Sequence, residues 1–216
     1  MATIKELIRN RDYAGLEKSL SENPALANEC IPYDELNTSE AHPLHRICDG
    51  VFSCQYTDDE AVEMAKIFLA NGAAVNGNSL IPNKDSPLVA AASLHADKVG
   101  ILYIDNGADI NHGGCHGGTA LHWAAWCGKP QLVERLIKAG SEINRLCTDF
   151  KATPLFWAVH GLKNGGNKDS KKYLEVVDLL ISAGADKSIT NGDGSSVFDL
   201  LQEEDREIWA LLEKQV

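Results

Sequence analysis

Apolar residues recur at helical spacing along the chain and are interrupted at regular intervals by glycine. The clearest case spans residues 118–144, where two apolar stripes follow the three-and-four spacing of a helix face. Their members are Leu121, Ala124, Ala125, Leu132, Val133, Leu136 and Ile137. Thr119 stands where a helix cap is expected, Gly128 separates the stripes, and Pro130 suits the first turn of a second helix. The pattern predicts a helical hairpin that ends at Gly140.

Edited copies of this hairpin occur throughout the sequence with a period near 33 residues. Leu121 corresponds to Leu88, 33 positions earlier, and to Leu155, 34 positions later. Weaker copies place Leu44 and Phe198 at the same position. Because one hairpin alone cannot bury its apolar stripe, the copies are expected to stack and to share a continuous core.

The repeats carry a common box at the start of the first helix, seen as GTALHWAA at residues 118–125 and as TPLFWAV at residues 153–159. A period near 33 with a Thr-Pro-Leu-His type of box resembles the ankyrin repeat, and the resemblance extends over nearly the whole chain. It implies an all-α solenoid of stacked helix-turn-helix units. These units would be joined by β-turn or hairpin fingers and closed by degenerate N- and C-terminal caps.

A repeat array has no internal boundary, and we therefore predict one domain covering residues 1–216. Its parts are an N-terminal cap hairpin at 1–28, repeats at 37–76, 80–111, 114–144 and 148–188, and a C-terminal cap at 190–216. The first and fourth repeats span 28 and 29 positions from box leucine to final glycine, whereas the other two span 19. We expect the extra residues to be insertions in the loops between paired helices, at 49–60 and 161–172.

Charge and cysteine content narrow the classes of partner and compartment. The chain has 31 Asp and Glu against 20 Lys and Arg, and its net charge of −11 repels nucleic acid and anionic membranes. The N-terminus lacks the apolar region of a signal peptide, and no apolar run approaches the length of a membrane span. The six cysteines form no CxxC pair, so we predict free thiols and a cytoplasmic protein.

The sequence lacks the common catalytic motifs. It has no Walker-type phosphate loop, no GxSxG elbow and no HExxH helix, so we predict neither an enzyme nor a cofactor. The turn HGGCH at residues 112–116 offers His112, Cys115 and His116 as candidate zinc ligands, with His122 nearby. A structural zinc site needs four ligands, usually as two spaced pairs, and the sequence supplies no second pair. A metal- or redox-responsive regulator that uses this turn stays open as an alternative.

The resemblance implies that the fingers and the inner helices form a concave face that binds other proteins. Position by position, it assigns partner contacts to Thr38, Ser39, Asn83, Cys115, His116, Trp126, Asp149 and Phe150. Trp126 and Phe150 are of most interest, because large aromatic side chains that packing does not require are typical of binding hot spots. Trp123 and Trp157 are expected to be structural.

We therefore predict a non-enzymatic and monomeric protein–protein interaction module whose partner the sequence does not identify. The two insertions are expected to add accessory contacts. A structural or inhibitory subunit that self-associates is the second alternative, because a fold alone does not determine function.

Overall fold

The computed structural model describes residues 2–33, 39–165 and 169–213, and the regular structure of these residues is almost entirely helical. The all-α fold class is thereby confirmed. Backbone packing divides the protein into two compact units. The N-terminal unit consists of Met1–Leu80 and Ser86–Asp109, and the C-terminal unit consists of Ile81–Asp85 and Ile110–Val216.

The described part of the N-terminal unit is built from three helix pairs. They are α1 (Ile4–Asn10) with α2 (Tyr13–Glu22), α3 (Pro43–Phe52) with α4 (Asp58–Ala70), and α5 (Pro87–Ser93) with α6 (Asp97–Asp105). A 3-10 turn at Pro24–Ala27 follows α2, and a short antiparallel pair of strands precedes α3. These strands are β1 (Ile31–Pro32) and β2 (Glu40–Ala41).

The described part of the C-terminal unit contains two further helix pairs and a last single helix. They are α7 (Ala120–Trp126) with α8 (Pro130–Lys138), α9 (Pro154–Asn164) with α10 (Ser170–Ser182), and α11 (Arg206–Leu212). Two 3-10 turns lie at Cys115–Gly117 and Val197–Leu200. The second of them lies in the predicted C-terminal cap, in which only the later described segment, α11, forms an α-helix.

The hairpins begin and end where the sequence places caps. The Ser86 hydroxyl accepts the Val89 N–H before α5, and the Thr153 hydroxyl accepts the Phe156 N–H before α9. Gly140 ends the α8 segment with φ of +94°, a conformation that favours glycine. The core follows from the box leucines, which are at most 1% exposed and are Leu44, Leu88, Leu121 and Leu155.

The additional residues of the first and fourth repeats correct our prediction that they are loop insertions. In the two regular repeats, the first helices α5 and α7 have 7 residues and the second helices α6 and α8 have 9. In the first repeat, α3 and α4 have 10 and 13 residues, and in the fourth repeat α9 and α10 have 11 and 13. Much of the extra sequence therefore extends the helices themselves. In the first repeat, the capping box of Thr57 with Glu60 starts α4 early, and the buried Tyr56 hydroxyl donates to the Ile47 carbonyl. Residues 166–168 of the second insertion lie outside the described residues.

The helices and the cysteines bear on two of the sequence predictions, the one on membrane spans and the one on free thiols. Among the described residues, none of the helices combines the length and the apolar character that a membrane crossing requires. All six cysteines are free thiols.

Candidate functional site

An aromatic groove opens in the C-terminal unit beside α7 and α9. It has a volume of about 560 Å³, and five of its twelve lining side chains are Trp or Phe. The lining residues are His116, Trp123, Trp126, Phe150, Ala152, Phe156, Trp157, His160, Asn191, Asp193, Ser195 and Leu200. Volume and composition both lie in the range typical of binding pockets.

Helical spacing supplies the inner wall of the aromatic groove. Trp123 and Trp126 lie three residues apart on α7, and Trp157 and His160 lie three residues apart on α9. Side chains at this spacing share one face of a helix. Because α7 and α9 pack against each other, the two faces form a continuous aromatic surface.

The approach of α9 to the end of α7 depends on a glycine. A Cβ atom at Gly161 would lie 2.4 Å from the carbonyl oxygen of Trp126, a distance that no side chain permits. The same carbonyl accepts the hydroxyl of Tyr173 on α10 at 2.9 Å. The backbone that carries Trp126 is therefore fixed from two sides.

Three aromatic rings surround Trp157 at steep angles. The ring of Trp123 lies 5.1 Å away at 83°, that of Trp126 lies 6.2 Å away at 74°, and that of Phe150 lies 6.1 Å away at 62°. Edge-to-face pairs of this kind are favourable for aromatic side chains. Trp157 is only 6% exposed and Phe150 is 50% exposed, so the rings form a concave corner with a buried base and an open edge.

Two histidines continue the aromatic surface outwards. The His116 ring lies 5.2 Å from Phe150, and its Nδ1 lies 2.8 Å from the Asp149 carboxylate. On the other side, the His160 ring lies 5.1 Å from Trp126 at an angle of 31°. Polar atoms thus border a groove whose inner surface is apolar.

Backbone hydrogen bonds join the turns of successive repeats. The N–H groups of Thr148 and Asp149 donate to the carbonyl of His116 at 3.0 and 3.2 Å. This close approach requires Gly117, which has φ of +67° and whose added Cβ would lie 2.5 Å from the Thr148 nitrogen. The turn that carries His116 therefore holds the turn that carries Phe150.

The last turn is attached in the same way. The Gly192 N–H donates to the Phe150 carbonyl at 2.8 Å. The Asn191 side chain accepts the N–H groups of Asp193 and Ser195 at 3.0 and 2.9 Å, which closes the turn around Asp193. Asp193 is thereby fixed beside Phe150 at the border of the aromatic groove.

His122 links the start of α7 to the finger that carries Phe150. Its Nδ1 accepts the Thr119 N–H at 3.1 Å, so Nε2 carries the proton and donates to the carbonyls of Arg145 and Ala152, each at 3.2 Å. Burial lowers the pKa of His122 to about 4, which keeps the ring neutral near pH 7.

The repeat pattern and a comparison with known protein families now agree. A family model described as ankyrin repeats, in three copies, matches residues 52–147 and 115–191. The chain belongs to the ankyrin-repeat family. Ankyrin repeats indicate a protein–protein interaction module, and the repeats themselves are not catalytic.

Similar segments occur in much longer proteins. Palmitoyltransferase ZDHHC13 of Mus musculus is 31% identical over 97 residues, which is 45% of this chain and 14% of that protein. Palmitoyltransferase ZDHHC17 of Rattus norvegicus is 31% identical and palmitoyltransferase Hip14 of Drosophila melanogaster is 29% identical, each over 93 residues. In both cases the match covers 43% of this chain and 13% of the relative. The similarity thus concerns a small part of these relatives.

Three of the predicted contact residues of this ankyrin protein line the aromatic groove, namely His116, Trp126 and Phe150. Trp123 and Trp157, which we expected to be structural, line it as well. A structural role and a place in the groove do not exclude each other. Trp157 is nearly buried and still forms the base of the groove. The signal in the sequence was the recurrence of Trp at the same position of two consecutive ankyrin boxes.

The other predicted residues lie outside the groove lining. Asn83, Cys115 and Asp149 are exposed in the C-terminal unit, and the Cys115 N–H donates to the Asp85 carboxylate at 2.7 Å. Ser39 is exposed in the N-terminal unit, and its carbonyl accepts the Tyr33 N–H. Thr38 lies outside the described residues.

Sequence reasoning missed Phe156 and the last ankyrin turn as parts of the groove. Asn191, Asp193, Ser195 and Leu200 all come from the start of the segment that the sequence predicts to be the C-terminal cap. The hydrogen bond from the Gly192 N–H to the Phe150 carbonyl brings this turn to the groove, and the spacing of residues along the chain does not reveal it.

The HGGCH turn gains no support as a metal site from the geometry. His112 Nε2 lies 2.8 Å from the Lys84 carbonyl, whereas His116 Nδ1 pairs with Asp149. Within residues 2–33, 39–165 and 169–213, no three His, Cys, Asp or Glu side chains are grouped so that they could hold a metal ion.

Proposed function

We propose that this ankyrin protein binds a protein partner on the finger and inner-helix face of its C-terminal unit, with the aromatic groove as the anchoring site. The observation that carries the proposal is the half-exposed Phe150 beside three tryptophans. Full burial of a Phe side chain contributes about 1.5–3 kcal/mol, so the half of Phe150 that is still exposed offers about 1 kcal/mol to a partner. Trp126 and Trp123 add to this amount, since both remain partly exposed.

The rigidity of the groove supports the same proposal. Its rings are carried by helices, and its turns are joined by the backbone bonds from Thr148 to His116 and from Gly192 to Phe150. A preformed site loses little conformational entropy when a partner binds, and more of the contact energy therefore appears as affinity.

Accessory contacts would come from the extended ends of the longer helices. Lys163, near the end of α9 and inside the second insertion, pairs with Asp205, and a partner would have to compete with this ion pair. Asn164 and Lys171, which are exposed in the same insertion, are the better candidates for accessory contacts.

The relatives do not extend the proposal to catalysis. The transferase activity in their names belongs to proteins of which this chain covers 13 to 14%, and we propose only the interaction function. A cytoplasmic location, a monomeric state and the lack of nucleic-acid or membrane binding stay predictions. The free thiols support the location, because such thiols persist in reducing compartments.

The proposal is tested by affinity capture from the source cell. The baits are the native chain, the double variant Trp126→Ala/Phe150→Ala, and Phe52→Ala as a matched control. Phe52 is 57% exposed in the N-terminal unit, so its removal deletes a similar aromatic surface elsewhere. Circular dichroism and thermal unfolding verify that all three baits are folded.

We expect a captured protein that the native chain and Phe52→Ala retain and that the double variant loses. If the double variant captures the same proteins as the native chain, the aromatic groove is not the binding site.

A further inference from the structure

We propose that the partner places an arginine side chain in the aromatic groove. This inference rests on the proposed function, because it specifies which chemistry of a bound protein segment the groove recognises. It follows from the ring arrangement, from one unpaired carboxylate and from the lack of Lys, Arg and any second Asp or Glu in the described lining.

The ring arrangement suits a cation. Trp123, Trp126 and Phe150 stand at 62 to 83° to Trp157, so a group that enters the corner meets aromatic rings on several sides. The faces of aromatic rings carry partial negative charge, and they attract ammonium and guanidinium groups within about 6 Å. Trp is the strongest of the aromatic side chains in this interaction.

The carboxylate of Asp193 supplies the matching charge. Asp193 is the only Asp or Glu among the described lining residues, which include no Lys or Arg. Within residues 2–33, 39–165 and 169–213, its carboxylate takes part in no hydrogen bond or ion pair, although its backbone is held by Asn191. The nearby Asp149 is engaged by His116, and Lys151 does not line the groove.

Arginine fits this surrounding better than lysine or an apolar residue. A guanidinium group is planar and weakly hydrated, so it stacks on an indole at a lower desolvation cost than an ammonium group. Its fork of N–H donors can pair with a carboxylate in two parallel hydrogen bonds. An apolar side chain would fill the aromatic corner but would make no hydrogen bond to the exposed Asp193 carboxylate.

The test uses four probes of the form Gly-Ser-Gly-X-Gly-Ser-Gly, in which X is Arg, Lys, Leu or Glu. Each probe is titrated into the folded full chain at fixed ionic strength, and binding is followed by the tryptophan indole N–H signals in NMR spectra. Concentrations up to about 10 mM detect the millimolar affinities expected for one anchored side chain.

We expect the Arg probe to bind about fivefold or more tightly than the Lys and Leu probes, as cation–π contacts and one charged hydrogen bond predict. Asp193→Asn should remove most of this preference and leave the Leu probe unchanged. Glu203→Gln is the matched control, because it removes the same charge from an exposed position of the C-terminal unit outside the groove.

Three results would overturn the proposal. They are a Leu probe that binds as tightly as the Arg probe, equal effects of Asp193→Asn and Glu203→Gln, or no change of any indole signal with the Arg probe. The first leaves the groove intact as a protein-binding site for apolar side chains. Failure of the proposed function itself appears separately, as an unchanged partner set in the capture experiment with Trp126→Ala/Phe150→Ala.

Discussion

Helices α5 and α7 are the first helices of their own repeat hairpins, and they differ at two positions that separate folding from binding. Both carry a buried box leucine, Leu88 in α5 and Leu121 in α7. Two residues later, α5 has the fully buried Ala90 where α7 has the larger and partly exposed Trp123. Five residues after the leucine, α5 has Ser93 where α7 has Trp126, as the repeat offset of 33 requires.

The same two positions vary in the remaining repeats. In α9 they hold Trp157 and His160, whereas in α3 they hold Arg46 and Asp49, which form an ion pair. The Arg46 guanidinium also lies 4.0 Å from the centroid of the Tyr33 ring. The hairpin thus closes with small, charged or aromatic side chains at these positions.

The tryptophans of α7 are therefore not required by the hairpin fold. Trp123 even carries a penalty, since its buried indole N–H has no acceptor in the described part of the chain, which costs about 1–3 kcal/mol. The comparison teaches that the box leucine determines the fold and that the positions two and five residues after it determine the surface.

The largest effect on stability should follow from substitution of the box leucine, which the repeats share. Leu121→Ala and Leu88→Ala are each expected to lower the free energy of unfolding by about 3 kcal/mol, because both delete fully packed side chains and leave cavities. Urea or guanidinium unfolding measures the effect. A loss below about 1 kcal/mol at either site would show that the box leucines do not carry the core.

The next effect concerns the two buried histidines, one in each unit. Burial lowers the pKa of both His42 and His122 to about 4, below the value of about 6.5 expected in the unfolded chain. Their neutral rings stabilise the fold fully above pH 6.5, and this contribution is lost as the pH falls from 6.5 towards 4.

By pH 4.5, each histidine should lower the free energy of unfolding by about 2 kcal/mol relative to pH 7. His122→Gln should reduce the steepness of this pH dependence, although the variant is also less stable at pH 7 because buried carbonyls lose their donor. Stability that is unchanged between pH 7 and 4.5 would contradict the account.

A smaller effect on stability is expected for the surface positions. Trp126→Ala/Phe150→Ala should change the free energy of unfolding by only about 1–2 kcal/mol in total, since both side chains are partly exposed. The affinity for the captured partner should fall at least about tenfold, as for other hot-spot residues. A stability loss as large as that of Leu121→Ala would remove the distinction between fold and surface.

The smallest effect should come from the finger residue Lys151, whose backbone conformation favours glycine. Lys151 adopts φ of +50°, a left-handed conformation that costs a side chain about 1 kcal/mol or more. Lys151→Gly should therefore raise the free energy of unfolding by about 0.5 kcal/mol, after the added freedom of the unfolded chain is counted. Thermal unfolding of Lys151→Gly is compared with that of Lys172→Gly, a control at an exposed helical residue. Glycine should stabilise the protein at the left-handed position 151 and destabilise it at the helical position 172.

The hairpins and their caps could be predicted because their causes are local. Thr153 before Pro154 starts α9, and Gly140 ends the preceding repeat unit, through bonds within a few residues of each other in sequence. Phe150 and Trp126 could be selected because the repeat pattern leaves their positions free.

Other features depend on contacts between distant residues and could not be predicted. Asp193 enters the groove only because Gly192 bonds to Phe150, which is 42 residues earlier. The extra residues of the first repeat lengthen its helices because Tyr56 is buried against α3, an outcome that an insertion count does not distinguish from a loop. Lys151 accepts its left-handed conformation because the surrounding finger is fixed from both sides.

Site-specific photocrosslinking tests the central claim most directly. A benzoylphenylalanine in place of Phe150, and in a separate sample in place of Phe52, is irradiated in lysate of the source cell. The account predicts a discrete protein adduct from position 150 that disappears when Trp126→Ala is added, and no such adduct from position 52. An adduct from position 52 with none from position 150 would contradict it, because the partner would then bind the N-terminal unit away from the aromatic groove.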